Sequence, residues 1–270
     1  MPVSKRLIGS SLLASLSFSP ALAVDVSISF GQADFEMFYA VTLDGQTFRG
    51  QSVDDFNHVD LGVSVNRGNY TLGANISQLM EQEVGEYGGD GGQFIGSYDT
   101  KRDSFSFSVS RNISEKLYLT AGYYSASLTV STDTPGKNDT TDTDAFFGSL
   151  TYVGKLTEEL IWYGRLGAQL NDADLKVNSE NGLLTSSLDG DGVVFGLGIY
   201  YPLDETRGLT FAAEHKDFTY ESAQWDLEES QTLFTIGYNF QFYWMDDPSI
   251  VQFEESSFPI TVIAALRKEF

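Results

Sequence analysis

The sequence predicts an all-β fold, an antiparallel up-and-down barrel. Three observations predict it. Apolar and small polar residues alternate with period two in one segment after another, as side chains along a strand do. Short and long polar connections take turns between those segments. The face opposite the apolar one is Ser, Thr, Gly, Asn and Gln rather than Lys, Glu and Arg, which suits a narrow lumen better than a face washed by solvent.

The segments follow in chain order. Val26, Ile28 and Phe30 share one parity, and Phe35, Met37, Tyr39, Val41 and Leu43 share the other. That shift predicts a bulge or break in the first strand near Gly31 to Ala33. Val59, Leu61, Val63 and Val65 form the next apolar face, then Tyr70, Leu72, Ala74 and Ile76. Phe105, Phe107 and Val109 stand opposite Ser104, Ser106, Ser108 and Ser110. Leu117, Leu119, Ala121 and Tyr123 follow, and after them Phe146, Gly148, Leu150 and Tyr152. Leu160, Trp162, Leu166, Ala168 and Leu170 oppose Tyr163, Arg165, Gln169 and Asn171. Val193 to Tyr201 and Leu209 to Ala213 repeat the pattern. Phe234, Ile236, Tyr238, Phe240 and Phe242 close the series against Thr235, Gly237, Asn239 and Gln241.

An apolar, aromatic face backed by a small polar one is what a strand needs between lipid and a watery lumen. Short connections at 66–69, 111–116, 154–159, 202–208 and 245–248 alternate with longer polar segments near 44–57, 80–102, 131–143, 178–191 and 222–230. That alternation is expected of a transmembrane barrel with short periplasmic turns and long outer loops. Tyr70, Tyr152, Trp162, Tyr201 and Trp244, near strand ends, fit interfacial girdles.

Residues 1–23 read as a signal peptide. Lys5 and Arg6 precede a short apolar run, and Ala21-Leu22-Ala23 is a small-residue cleavage site, so cleavage is expected after Ala23. Residues 24–270 are then one barrel domain. The chain has no cysteine, and its mature part carries no apolar run long enough for a helical span. It carries 38 acidic and 16 basic residues and a net charge of −22, which argues against nucleic-acid binding. The acid falls between the apolar strands, in exposed loops or beside anionic headgroups.

The end of the chain allows two strand counts. Gly237, Tyr238, Phe240 and Phe242 read as a terminal strand signal, yet a second run at Ile260 to Leu266 ends in Phe270. A further hairpin over 249–270 makes twelve strands. Closure at Phe242 makes ten, with a C-terminal periplasmic tail. The terminal Phe270 favours twelve.

On these residues the chain resembles the small bacterial outer-membrane β-barrel proteins, a porin-like class, over essentially all of 24–270. The resemblance implies the outer membrane of a Gram-negative cell envelope, outer-membrane lipid and lipopolysaccharide as surroundings, and barrel-assembly machinery during insertion. It carries over no binding or catalytic residues and no cofactor. A monomer with a structural, surface-interaction or narrow cation-preferring channel role is expected, and not an enzyme.

Two alternatives stay open: an outer-membrane hydrolase of protease or lipase type, and a soluble periplasmic β-sandwich that binds a ligand. For the first, His58 follows Asp54, Asp55 and Asn57 at the outer end of its strand, similar to the Asp and His of omptin-type proteases, with Asp90 or Asp99 to complete a site. His215 points outward by parity, near the membrane edge. Arg165, Glu214 and Lys216 point into the lumen by parity and Glu36 joins them, forming a salt-bridged plug or a selective constriction. Asp139, Asp142, Asp144, Asp189 and Asp191 are weak calcium candidates, without the spacing of an EF-hand loop.

Overall fold

The computed structural model describes residues 22–43, 45–88, 93–131, 138–179 and 182–244. They form ten strands: β1 (Leu22–Leu43), β2 (Gln46–Arg67), β3 (Tyr70–Gly88), β4 (Gln93–Ser114), β5 (Leu117–Ser131), β6 (Asn138–Lys155), β7 (Ile161–Ser179), β8 (Gly182–Pro202), β9 (Arg207–Glu221) and β10 (Trp225–Trp244). Each strand pairs antiparallel with its neighbour in sequence, and β1 meets β10 to close the barrel. Thr42 N–H donates to the Gln224 carbonyl at 2.8 Å at one end of that seam, and Gln241 Nε2 donates to Asp25 at 2.8 Å at the other. The seam is therefore antiparallel too. Ten strands complete the circle, which is the smaller of the two expected counts. The extra hairpin over 249–270, Phe270 and residues 1–21 of the expected signal peptide lie outside the described residues, while Leu22 and Ala23, ahead of the expected cleavage site, begin β1.

Outward side chains form an apolar band around the lower half of the barrel, the half in which β1 begins and β10 ends. On β8 the band is Val193, Phe195, Leu197, Ile199 and Tyr201, a stretch of nine residues, which matches a tilted strand crossing a bilayer. Phe146 is 70 % exposed and Leu170 69 %, so large apolar groups of the band lie on the outside. Only lipid makes that arrangement favourable, because the same area in water would cost about 25 cal/mol per Å². Tyr152 stacks on Trp162 at 5.4 Å between ring centres near the lower edge, and Arg111 lies 5.7 Å from the Tyr70 ring there.

Above the band the pattern inverts. The apolar side chains turn inward and carboxylates turn outward. Ala33, Phe35, Phe56, Leu79 and Leu233 form one buried cluster inside the barrel. Ala173, Leu175, Leu188, Val194, Phe218, Tyr220 and Leu227 form a second. This inversion corrects two expectations. The change of parity in β1 is no bulge, since its register with β2 runs unbroken from Ala23 to Leu43. Register irregularities lie elsewhere, between β2 and β3 at Val53/His58, between β3 and β4 at Leu79/Gln82 and Glu86/Tyr87, and between β4 and β5 at Asn112/Ser114. Phe30 faces lipid and Phe35 faces the lumen because the strand leaves the membrane between them.

The long polar segments, likewise, are mostly not loops. β1 and β2 are joined at 44–45 and β7 and β8 at 180–181, so strands of up to 22 residues run far beyond the bilayer. Their polar outer face reads as loop in sequence, while their inner face supplies the core.

Inner-wall glycines make room for rings. Phe218 lies over Gly192, where a Cβ would sit 2.1 Å from its Cδ1. Tyr163 covers Gly198 in the same way, and in each case ring and glycine are paired in register.

Candidate functional site: the lumen and the outer wall

The lumen has three levels. Lowest is a polar cavity of about 250 Å³, lined by Ser27, Ser64, Asn75, Ser106, Ser108 and Asn239 among others. These small side chains face inward because their strands present apolar partners to lipid.

Next come the charges. Glu214 bridges Arg165 at 3.2 Å and Lys216 at 3.0 Å. The structure thus brings together three of the four residues expected in a lumen cluster. Glu36 is the exception. It is exposed on the outer wall, because the break that would have turned it inward does not occur. His58 faces Glu214 and Lys216 and is only 6 % exposed. It lies inside the barrel rather than at an outer rim. Asp99 is exposed on the outer wall and Asp90 lies outside the described residues.

The highest level is the pair Arg102 and Glu229, with side chains 10 % and 3 % exposed. The guanidinium donates from both terminal nitrogens to the two carboxylate oxygens, at 2.5 and 2.6 Å. Burial pulls the Arg102 pKa down, but the adjoining Glu229 carboxylate outweighs it and holds the guanidinium above its ordinary value. The Phe35 ring lies 5.5 Å from the guanidinium carbon. β4 and β10 stand nearly opposite in the circle, so the pair spans the lumen. Both residues lie in segments that read as loops. The signal that finds them is the inward parity of Ser104 and Ser106, carried two residues further to Arg102.

The outer wall above the band is anionic. Asp144, Asp172, Asp189, Glu221 and Asp226 stand side by side in register across β6 to β10. The calcium candidates are dispersed on this wall and its rim. Asp142 accepts from Lys176 at 3.0 Å and from Ser127 at 2.7 Å, and these outweigh its burial and hold its carboxyl below the ordinary value. Asp144 accepts from the Tyr123 hydroxyl, and Asp139 accepts from the Asn178 backbone N–H at 2.6 Å. Asp189 and Asp191 are exposed. Among the described residues, no three His, Cys, Asp or Glu side chains converge as a metal site.

Along β10, Tyr238, Phe240 and Phe242 form a ladder of rings at 5.9 and 5.1 Å, and the buried Gly237 faces the lumen. The expected terminal strand signal is thus the strand that closes the barrel.

No family model matches the chain, and no curated protein matches it in sequence. Among solved structures it is similar to the outer membrane protease OmpT from Escherichia coli, with a TM-score of 0.59 and 14 % identity over 84 % of this chain and 99 % of that one. Weaker likenesses are to Ail, the attachment invasion locus protein of Yersinia pestis, and to Neisserial surface protein A. Ail scores 0.32 at 14 % identity over 80 % of this chain and 98 % of its own. The Neisserial protein scores 0.36 at 8 % identity over 82 % of this chain and 99 % of its own. The likeness to OmpT is one of fold. The chain is a small outer-membrane-type β-barrel: closed, antiparallel, with an apolar band facing lipid.

Proposed function

We infer that the protein is an outer-membrane barrel whose lumen is closed and whose work is done on its outer wall and upper rim. The observation that carries this reading is the Arg102–Glu229 pair, buried and doubly hydrogen-bonded across the barrel. Apolar clusters pack around it, and the Arg165–Glu214–Lys216 triple lies beneath it. A permeation path would need unpaired polar groups along a continuous opening. These charges are neutralised against each other instead, which favours a plug over a constriction.

The extended, acidic end then faces the cell exterior and the end where β1 begins and β10 finishes faces the periplasm, with residues 1–23 removed on export. One chain closes its own sheet, which supports a monomer. Outer-leaflet lipid, lipopolysaccharide included, is its immediate partner. Like charges set opposite each other on a sheet repel, so the carboxylate rows favour counter-ions at the level of the headgroups. Conductance across a planar bilayer tests the reading. No sustained current steps are expected, and steady ohmic steps would contradict it.

A further inference from the structure

His215 stands on the outer wall of β9, in register with Thr232 of β10 and two residues from Asp217 on the same face. Its Nδ1 lies 2.9 Å from Thr232 Oγ1 and its Nε2 lies 3.0 Å from Asp217 Oδ2. A carboxylate only accepts, so Nε2 carries the hydrogen and donates to Asp217. In the neutral imidazole, Nδ1 then holds the lone pair that accepts the Thr232 hydroxyl. This is the hydroxyl–imidazole–carboxylate order that nucleophilic acyl transfer needs.

The position adds a second, independent observation. His215 lies at the upper margin of the lipid-facing band, flanked by exposed Phe195 on β8. One step down the sheet, Ala213 stands between Leu197 and Phe234, and its small side chain leaves a dip between theirs. Ala213, Leu197, Phe234, Phe211 and Ile236 also line an almost wholly apolar cavity of about 660 Å³, which draws on lumen-facing Tyr163, Gly198 and Ala212 as well. An acyl chain laid on the exposed face of Leu197, Ala213 and Phe234 lies where outer-leaflet lipid is, with its ester end one outward residue below the imidazole.

We propose that Thr232, His215 and Asp217 form an acyl-ester hydrolysis site on the outer wall, with a membrane lipid as substrate. Thr232 Oγ1 attacks the ester carbonyl carbon as its proton passes to His215 Nδ1. The protonated imidazole, steadied by Asp217, returns that proton to the departing alkoxide. The acyl–oxygen bond of the lipid breaks, an alcohol leaves, and the acyl group rests on Thr232. Water then attacks the acyl-threonine with His215 taking its proton, which releases a carboxylic acid and restores the hydroxyl. No redox partner is needed. The site lies outside the lumen and does not depend on whether the barrel conducts.

The test uses the full chain refolded into vesicles of dioleoyl phosphatidylcholine, with oleate and lysolipid measured by mass spectrometry. The wild type should release both in equal amounts. Thr232→Val and His215→Gln should each lower the rate by about 100-fold or more. Thr232→Ser should keep it, and an acyl adduct should be found on the peptide containing position 232. These side chains lie on the exterior, and unchanged heat-modifiable mobility on a gel checks that each variant is folded. Release no greater than that of His215→Gln overturns the proposal. So does release that survives both Thr232→Val and His215→Gln.

Discussion

Arg102 and Glu229 face each other across the barrel and are joined by two hydrogen bonds of 2.5 and 2.6 Å. Their side chains are almost fully buried, so neither charge is served by water. Removing one partner strands the other, at about 3–5 kcal/mol. Glu229→Gln is therefore expected to lower stability by that amount in urea unfolding of vesicle-inserted protein, followed by tryptophan fluorescence. The double change Arg102→Met with Glu229→Leu removes both charges and should return most of the loss.

Gly192 lies against the Phe218 ring, where a Cβ would stand 2.1 Å from Cδ1 and 2.3 Å from the Asp217 carbonyl oxygen. Gly192→Ala must displace the ring or the strand and should cost about 1–3 kcal/mol. At Gly148 the nearest atom to an added Cβ is 3.9 Å away, so Gly148→Ala should stay within about 0.5 kcal/mol of wild type. The same unfolding experiment compares them.

Leu166 is 64 % exposed in the middle of the outer band of β7. Leu166→Arg should cost about 2–4 kcal/mol in a bilayer, as a charge on a lipid face does. Thr185→Arg, on the exposed upper part of β8, should cost no more than about 0.5 kcal/mol. Equal costs for the two would remove the band from the membrane.

In the turn between β8 and β9, Asp204 accepts from Arg207 Nε at 2.6 Å and from the backbone N–H groups of Thr206 and Arg207. Arg207 first, then the Thr206 amide, hold its pKa down to about 2, against an ordinary 3.8. A depressed carboxyl stabilises the fold above its unfolded pKa and loses that contribution as pH falls through its folded one. The stabilisation should thus be intact above about pH 4 and fade toward pH 2. Asp204→Asn should flatten the unfolding midpoint between those values, and added salt should weaken the difference, because the turn is exposed.

The membrane-spanning half of the barrel was legible residue by residue. Phe105, Phe107 and Val109 against Ser104, Ser106 and Ser108 is a lipid-and-lumen pattern, and the structure orients it so. Parity also brought Arg165, Glu214 and Lys216 into one cluster. The upper half was not legible, because the sequence pattern reverses there for a physical reason. Once a strand leaves lipid, its apolar side chains belong inside, so Phe35 and Phe30 take opposite faces of one continuous strand. Reading that reversal as a bulge misplaced Glu36. Reading acidic outer faces as loops hid Arg102 and Glu229, the pair on which closure rests. Thr232 escaped notice because its partner His215 is on another strand, and cross-strand register is not visible in one sequence.

Closure is the central claim, and planar-bilayer conductance of the refolded barrel tests it most directly. Wild type should show no sustained steps, and Arg102→Ala with Glu229→Ala should show more open events than wild type. Stable ohmic steps in the wild type, unchanged in the double variant, would contradict the account.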